Sequence, residues 1–160
     1  MRRQQGFSLV ELLIVLAIVA IIAAILVPSM LTSKWAANEA GAIQGCRTLG
    51  SAESAYATVN KGQFTTIETL IAGGYLESRF STGFNGYAYA PGPVPGGIGA
   101  GSPPNAFGFK ANPIGLGGRH IYGIATDQVV RYLGSVQGAP RPNGMQPGDP
   151  INATAAGFHP

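Results

Sequence analysis

Between Phe7 and Leu31 the chain carries a single charged side chain, Glu11, and residues 12 to 27 are sixteen apolar residues without interruption. At about 1.5 Å per residue, a helix over residues 7 to 31 spans roughly 37 Å, more than the ~30 Å hydrocarbon core of a bilayer. A membrane-spanning helix is therefore expected over residues 7–31. Arg2 and Arg3 precede it and no cation follows before Lys34, which predicts a cytoplasmic N-terminus with the remainder exported. A secretory signal peptide shares the basic start, but its apolar region is about 7 to 15 residues and ends in a small-residue cleavage site. An ordinary anchor stays open on length alone, but it has no use for Glu11. A carboxylate near the start of a lipid-embedded helix is costly and reads as a functional group whose partner must be found. Within the segment we expect none.

Gly6, Phe7 and Glu11, followed by the apolar run, match position for position the N-terminal processing motif of the type IV pilin superfamily, and the chain resembles that family here. The resemblance implies that a prepilin peptidase on the cytoplasmic face cuts after Gly6 and methylates the new amine of Phe7. Residues 1–6 would then be a leader absent from the mature protein. It implies an assembly charge pair as well, Glu11 of an incoming subunit meeting the Phe7 ammonium of a subunit already in the filament. Its implied partners are the peptidase, the pilus assembly platform and its ATPase, the inner membrane before assembly, and other copies in a homo-oligomeric helical filament at the cell surface. Adhesion or motility would follow from the fibre. A type II secretion pseudopilin shares the same leader, rod and sheet, and forms the alternative. A monomeric membrane-anchored binding module makes Gly6 and Glu11 accidental.

Composition agrees with a small exported domain. After one membrane segment, about 125 of the 160 residues remain, enough for one compact unit. Without Arg2 and Arg3, eight basic side chains face seven acidic ones, so no electrostatic footprint for nucleic acid is evident. Cys46 is alone, so no intramolecular disulfide can form, a departure from the many longer pilins that close a C-terminal loop with one.

Beyond the membrane segment, Ile43, Cys46, Leu49, Ala52, Tyr56 and Val59 recur at helical spacing and predict one buried face. Gln44, Arg47, Ser51, Ser54 and Thr58 lie opposite. One rod from about Phe7 to about Val59 is expected, apolar all round in its first half and amphipathic in its second, with Asn60, Lys61 and Gly62 as its stop. Gly41, Gly45 and Gly50 are expected to weaken it by up to about 1 kcal/mol each. Pro28 cannot donate to the carbonyl of Ala24, so a kink is expected there; in the resembling family a proline at this place accompanies local unwinding in the filament, while the plainer reading is a membrane exit. A short helix is read over about 65–76. Strands are read in the segments beginning at Phe84, Ala106, His120 and Val129, with Thr126, Asp127 and Gln128 turning between the last two. That turn lacks the glycine usual in the family.

The fold class expected is α+β: a long N-terminal α-helix, first half transmembrane and second half amphipathic, packed on a small antiparallel sheet of three to four strands at about 84–134. The globular part is read as 32–160. Residues 91–105 hold five prolines and five glycines and residues 135–160 another five prolines, so both are read as loops. Asn152 to Thr154 matches a short glycosylation sequon. His120 and His159 have no spaced metal ligand, and no nucleophile has a base. No catalytic residue, cofactor or metal is expected, and Cys46 reads as an inert core thiol.

Overall fold

The computed structural model describes residues 7–95, 103–136, 138–142 and 145–151; the expectations for Gly6, Asn152 and His159 concern residues outside that set. The chain divides into two compact units, up to Lys34 and from Trp35 onward. A single helix, α1, runs Leu9–Val59, about 76 Å at the usual rise. Its ending follows the expected signal: Lys61 and Gly62 adopt positive φ of 56° and 79°, and the Gly62 amide donates to the carbonyl of Ala57 at 2.9 Å. In the first unit the large apolar side chains from Leu9 to Leu31 are all exposed. Their most apolar 18-residue window has a mean hydropathy of 3.2 and is 0% buried.

In the second unit the C-terminal part of α1 packs on a four-stranded antiparallel sheet. The strands are β1 (Tyr87–Pro91), β2 (Gly108–Pro113), β3 (His120–Ala125) and β4 (Val130–Ser135), in spatial order β1-β2-β3-β4. Strands consecutive in sequence pair as neighbours, and such a meander lets a small domain cover one helix face. The registers include Tyr89 opposite Ala111, Phe109 opposite Ile124 and Tyr122 opposite Tyr132, with a bulge between Ile121 and Tyr122. Tyr87, Tyr89, Phe109, Ala111, Tyr122 and Ile124 meet Ala42, Cys46, Leu49 and Ala52 in one core.

The buried face of α1 differs from the expected one. Ala42, Cys46, Leu49 and Ala52 are buried, but Val59 is 72% exposed, and Gly45, Gly50 and Glu53 join the buried set. The glycines explain the rotation. A Cβ at Gly45 would overlap the phenol of Tyr89, and one at Gly50 would overlap Gln128 and Ile124. The sheet thus approaches the helix where it has no side chains, and the glycines that weaken an isolated helix act as notches for packing.

Three local features depart from the expected outline. The short helix, α2, covers only Ile67–Ala72, capped by Thr66, whose hydroxyl accepts from the Thr69 amide. A further one-turn helix, α3 (Arg79–Thr82), follows and is held by the buried ring of Phe80. Part of the C-terminal segment read as loop lies against β4: the amides of Tyr132 and Ile151 donate to the carbonyls of Asp149 and Val130, and that of Gly148 to Tyr132. At the β3–β4 turn, Gln128 itself takes the left-handed conformation, φ 61°, in place of a glycine, and its amide closes the turn on Ala125 at 2.9 Å.

Glu53 is fully buried in this core. Its Oε2 accepts from the Thr65 amide at 3.1 Å, and its Oε1 meets no donor among the described residues. Burial pushes the carboxyl up to about 7 against the opposing effect of the Thr65 bond. A raised acid favours the protonated folded state, so the stability it contributes is present below the ordinary carboxylate range and is lost as pH rises through about 7. Glu53→Gln is therefore expected to flatten the pH dependence of thermal unfolding between pH 5 and 8 and to gain on the order of 1–3 kcal/mol relative to wild type at pH 8. Circular dichroism melts across that range check it; parallel curves for the two proteins would refute it. Gly45→Ala decides between helix propensity, worth up to about 1 kcal/mol in its favour, and overlap with Tyr89, costing about 1–3 kcal/mol. A net loss of stability is expected in the same melts.

Candidate functional site

The α1 N-terminus is built as a capping box. Ser8 is the residue before the helix, and its hydroxyl accepts from the Val10 amide at 3.3 Å. Its carbonyl takes the first helical bond, from the Leu12 amide at 3.2 Å. Glu11, three residues on, reaches back so that its Oε2 accepts from the Ser8 amide at 2.9 Å. This corrects the expectation that nothing within the segment partners Glu11. The signal was present in the sequence as Ser8-Leu9-Val10-Glu11, the S-x-x-E pattern that satisfies otherwise orphaned amides at a helix start. The carboxylate also lies at the positive end of the helix dipole, where an anion is favoured. Phe7 is 83% exposed one residue ahead of this cap, so the two members expected to form a charge pair stand within one helical turn of each other along the same chain. Gly6 lies outside the described residues.

Pro28 lies inside α1, whose helical assignment continues through it. The hydroxyls after it turn back on the backbone: Thr32 Oγ1 donates to the Ser29 carbonyl at 2.9 Å and Ser33 Oγ to the same carbonyl at 3.0 Å. Hydroxyls on a helix in an apolar setting satisfy themselves in this way.

In the second unit, Trp35, Asn38 and Glu39 stand at helical steps of three and four, hence on one face, and hold the β2–β3 loop residue by residue. The Trp35 indole donates to the Leu116 carbonyl at 2.9 Å, the Asn38 amide to the Gly117 carbonyl at 2.6 Å, and the Arg119 backbone amide to Glu39 Oε1 at 3.0 Å. The Arg119 guanidinium adds a longer contact to Glu39 at 3.5 Å and lies 5.5 Å over the Trp35 ring. His120 is buried behind them, with Nδ1 3.1 Å from Ser135 Oγ, which lies 2.6 Å from the Tyr132 hydroxyl. Burial draws the His120 imidazole below its usual value, against the pull of Glu39. Trp35, Asn38 and Glu39 reach the loop across 79 to 81 positions of sequence, and no local pattern marks the pairing beforehand. The arrangement is a clamp between helix and loop.

Asp127 is the turn residue expected, and it does more. Its carboxylate grips the buried Arg131 guanidinium through two bonds, 2.6 and 2.9 Å, the fork geometry that gives strong and oriented pairing. Cys46 is buried and its thiol is pushed up to about 12 by desolvation, consistent with a core thiol. Among the described residues no three His, Cys, Asp or Glu side chains gather as metal ligands.

Comparison with known proteins points to the same end of the chain. Residues 1–27 match the prokaryotic N-terminal methylation motif. A stretch of 39 residues is 54% identical to the type IV wide pilus major component PilA4 of Thermus thermophilus, covering 24% of this chain and 30% of that relative. The chain thus matches less than a third of the relative's length. A long apolar N-terminal helix and a four-stranded antiparallel sheet accompany a start that matches the prokaryotic N-terminal methylation motif, and over a quarter of its length or less the chain is similar to a type IV pilus component.

Proposed function

We propose that this chain is a structural subunit of a type IV pilus-like filament. The observation that carries the reading is the methylation motif at residues 1–27 at the start of an apolar helix whose most apolar window is 0% buried among the described residues. Such a surface needs lipid or other copies of itself. In this reading the precursor sits in the inner membrane through residues 7–31, with its N-terminus cytoplasmic and residues 32–160 exported. It is cut after Gly6 by a prepilin peptidase, methylated at Phe7, and moved by an assembly platform and its ATPase into a fibre whose core is made of packed apolar rods. A role as pilus component in the relative favours a pilus over the secretion pseudopilus. The role is structural and asks no catalysis of the chain.

The capping box refines the part played by Glu11. In the uncut chain its carboxylate is satisfied by the Ser8 amide. Cutting after Gly6 creates an ammonium on the adjacent Phe7, and methylation to a secondary amine keeps the charge. At about 4 Å and an effective dielectric near 20, ammonium and carboxylate attract by roughly 4 kcal/mol before desolvation. Because a buried charge without a partner is heavily penalised, pairing between subunits acts mainly on register and against wrong docking. Pro28, which gives no amide donor to Ala24, is where the rod is expected to loosen in the filament.

Intact mass of the mature protein is expected to correspond to a chain starting at Phe7 with one added methyl group, and replacing Gly6 by a bulky residue should leave the precursor uncut. Recovery of full-length Met1 chains in surface fibres would sink the processing step. Two substitutions separate the cap from the charge. Glu11→Gln keeps an acceptor for the Ser8 amide but removes the charge, whereas Glu11→Ala removes both. Both should insert in membranes, and both should lose fibre yield by about tenfold or more, the effect of ~1.4 kcal/mol per subunit addition. Wild-type fibre yield from Glu11→Gln would show that the cap, and not the ion pair, is what Glu11 supplies.

A further inference from the structure

The filament reading leaves His120 without a role, although it is a titratable group at the first position of β3 and is 4% exposed. Every group named around it belongs to the unit from Trp35 onward. From α1, Glu39 brings Oε1 to 4.0 Å from His120 Nε2. From β4, Ser135 Oγ stands 3.1 Å from Nδ1 and 2.6 Å from the Tyr132 hydroxyl, and the Tyr132 ring meets the imidazole edge-on with centroids 5.8 Å apart. From β1, the Tyr87 hydroxyl donates to the His120 carbonyl at 2.8 Å. Arg119 precedes the histidine and Tyr122 lies two residues on. Burial pushes the Tyr87 and Tyr122 phenols up, so they bring no charge near neutral pH. Among the described residues, the charges that act on the imidazole are those of Glu39 and Arg119.

With a neutral imidazole, one consistent set of hydrogens serves the whole chain of contacts. The Tyr132 hydroxyl donates to Ser135 Oγ, Ser135 donates to Nδ1, and the Nε2 proton faces Glu39. A proton added at Nδ1 reverses that order. Nδ1 becomes a donor, and Ser135 must turn its own hydrogen away from the ring. The new cation also stands beside a carboxylate oxygen that already holds the loop, since Glu39 Oε1 accepts from the Arg119 amide at 3.0 Å and meets its guanidinium at 3.5 Å. An imidazolium draws that oxygen away from the amide it serves. Burial already lowers the imidazole from its usual value against the pull of Glu39. An imidazole so placed favours the closed clamp above its ordinary value of about 6.5, and that advantage is lost as pH falls toward the lower value of the closed state.

We propose that His120 is an acid-sensitive catch on the clamp, whose protonation releases the β2–β3 loop from Trp35, Asn38 and Glu39 while the sheet stays folded. The loop has a closed and an open state, and acid selects the open one because the imidazole binds a proton more readily there. The released segment includes Ile114 and Leu116, which are already exposed when the clamp is closed. The catch therefore governs the freedom of an apolar turn and leaves its exposure unchanged.

Trp35 is the single tryptophan of the chain, and its indole is bonded to the loop, so its fluorescence reports the clamp directly. For the full chain in non-ionic detergent micelles, acidification from about pH 7.5 to about 4.5 is expected to raise acrylamide quenching of Trp35 about twofold or more, with a midpoint below about 6.5 and unchanged far-UV circular dichroism. The imidazole resonance that persists in His159→Gln should titrate with the same midpoint. Glu39→Gln keeps an acceptor for the Arg119 amide but removes the charge that favours the imidazolium, so it should move the midpoint to lower pH. His120→Asn should make the quenching independent of pH, which separates the catch from Glu53, a group that titrates in the same range. Loss of the transition in Glu39→Gln, with quenching held at the neutral level, would assign the switch to the carboxylate and overturn the proposal. A flat wild-type profile, or a His120 midpoint at or above about 6.5, would also overturn it. Circular dichroism lost in step with the fluorescence would do the same, by showing global unfolding in place of a local release. If His120→Asn does not fold, the imidazole resonance and Glu39→Gln decide.

Discussion

Much in this molecule follows from a helix whose first half presents an unbroken apolar surface that is exposed among the described residues. The apolar side chains from Leu9 to Leu31 are exposed along the whole segment. Leaving that surface in water costs about 25 cal/mol for each Å², so the segment must always have a non-aqueous neighbour. In the proposed precursor that neighbour is a bilayer, and in the proposed filament it is the same segment of other subunits. In the proposed function, the change between membrane and fibre exchanges one apolar solvent for another.

The second half of the same helix solves a different problem, which is to be covered by as little protein as possible. A four-stranded meander does this because Gly45 and Gly50 let Tyr89, Ile124 and Gln128 come within side-chain distance of the helix backbone. Polar pairing then fixes where along the rod the sheet rests. Trp35, Asn38 and Glu39 hold the β2–β3 loop at one end, and Ser54 accepts from the Gln128 side chain at 3.1 Å at the other. Hydrogen bonds of this kind add little net stability each, about 0.5–1.5 kcal/mol, but a shift of the sheet by one turn would break all four at once and leave the buried Glu39 carboxylate without its amide. They set position more than they set strength.

Two buried acids are handled in contrasting ways. Glu39 gains a backbone amide and a guanidinium, so its charge is compensated where it sits. Among the described residues Glu53 gains one amide alone and is held toward its neutral form by burial. The first belongs to the clamp that links helix and loop, while the second ties the end of the rod to the chain entering α2.

The N-terminal segment was legible from residues alone because its constraints are local: leader arginines, Gly6, Phe7, Glu11 and an unbroken apolar run need no tertiary contact to be recognised, and Ser8 with Glu11 spelled out a helix start. The strands were legible for the same reason, since alternation of aromatic and β-branched residues reports a half-buried sheet directly. What α1 buries was decided only by the fold. Periodicity placed Val59 inside and counted Gly45 and Gly50 as weaknesses, whereas the sheet lies over the glycines and leaves Val59 in solvent. A sequence shows where side chains are apolar, but the absence of a side chain becomes an attraction only once a partner surface such as the Tyr89 phenol exists to fill it. The clamp of Glu39 on Arg119 likewise joins residues 80 positions apart, and the strip of chain beside β4 looked like loop because its prolines and glycines carry no period. Local chemistry determined that this chain has a capped, membrane-length rod and a small sheet; the long-range approach of backbone to backbone decided how the second half of that rod meets the sheet.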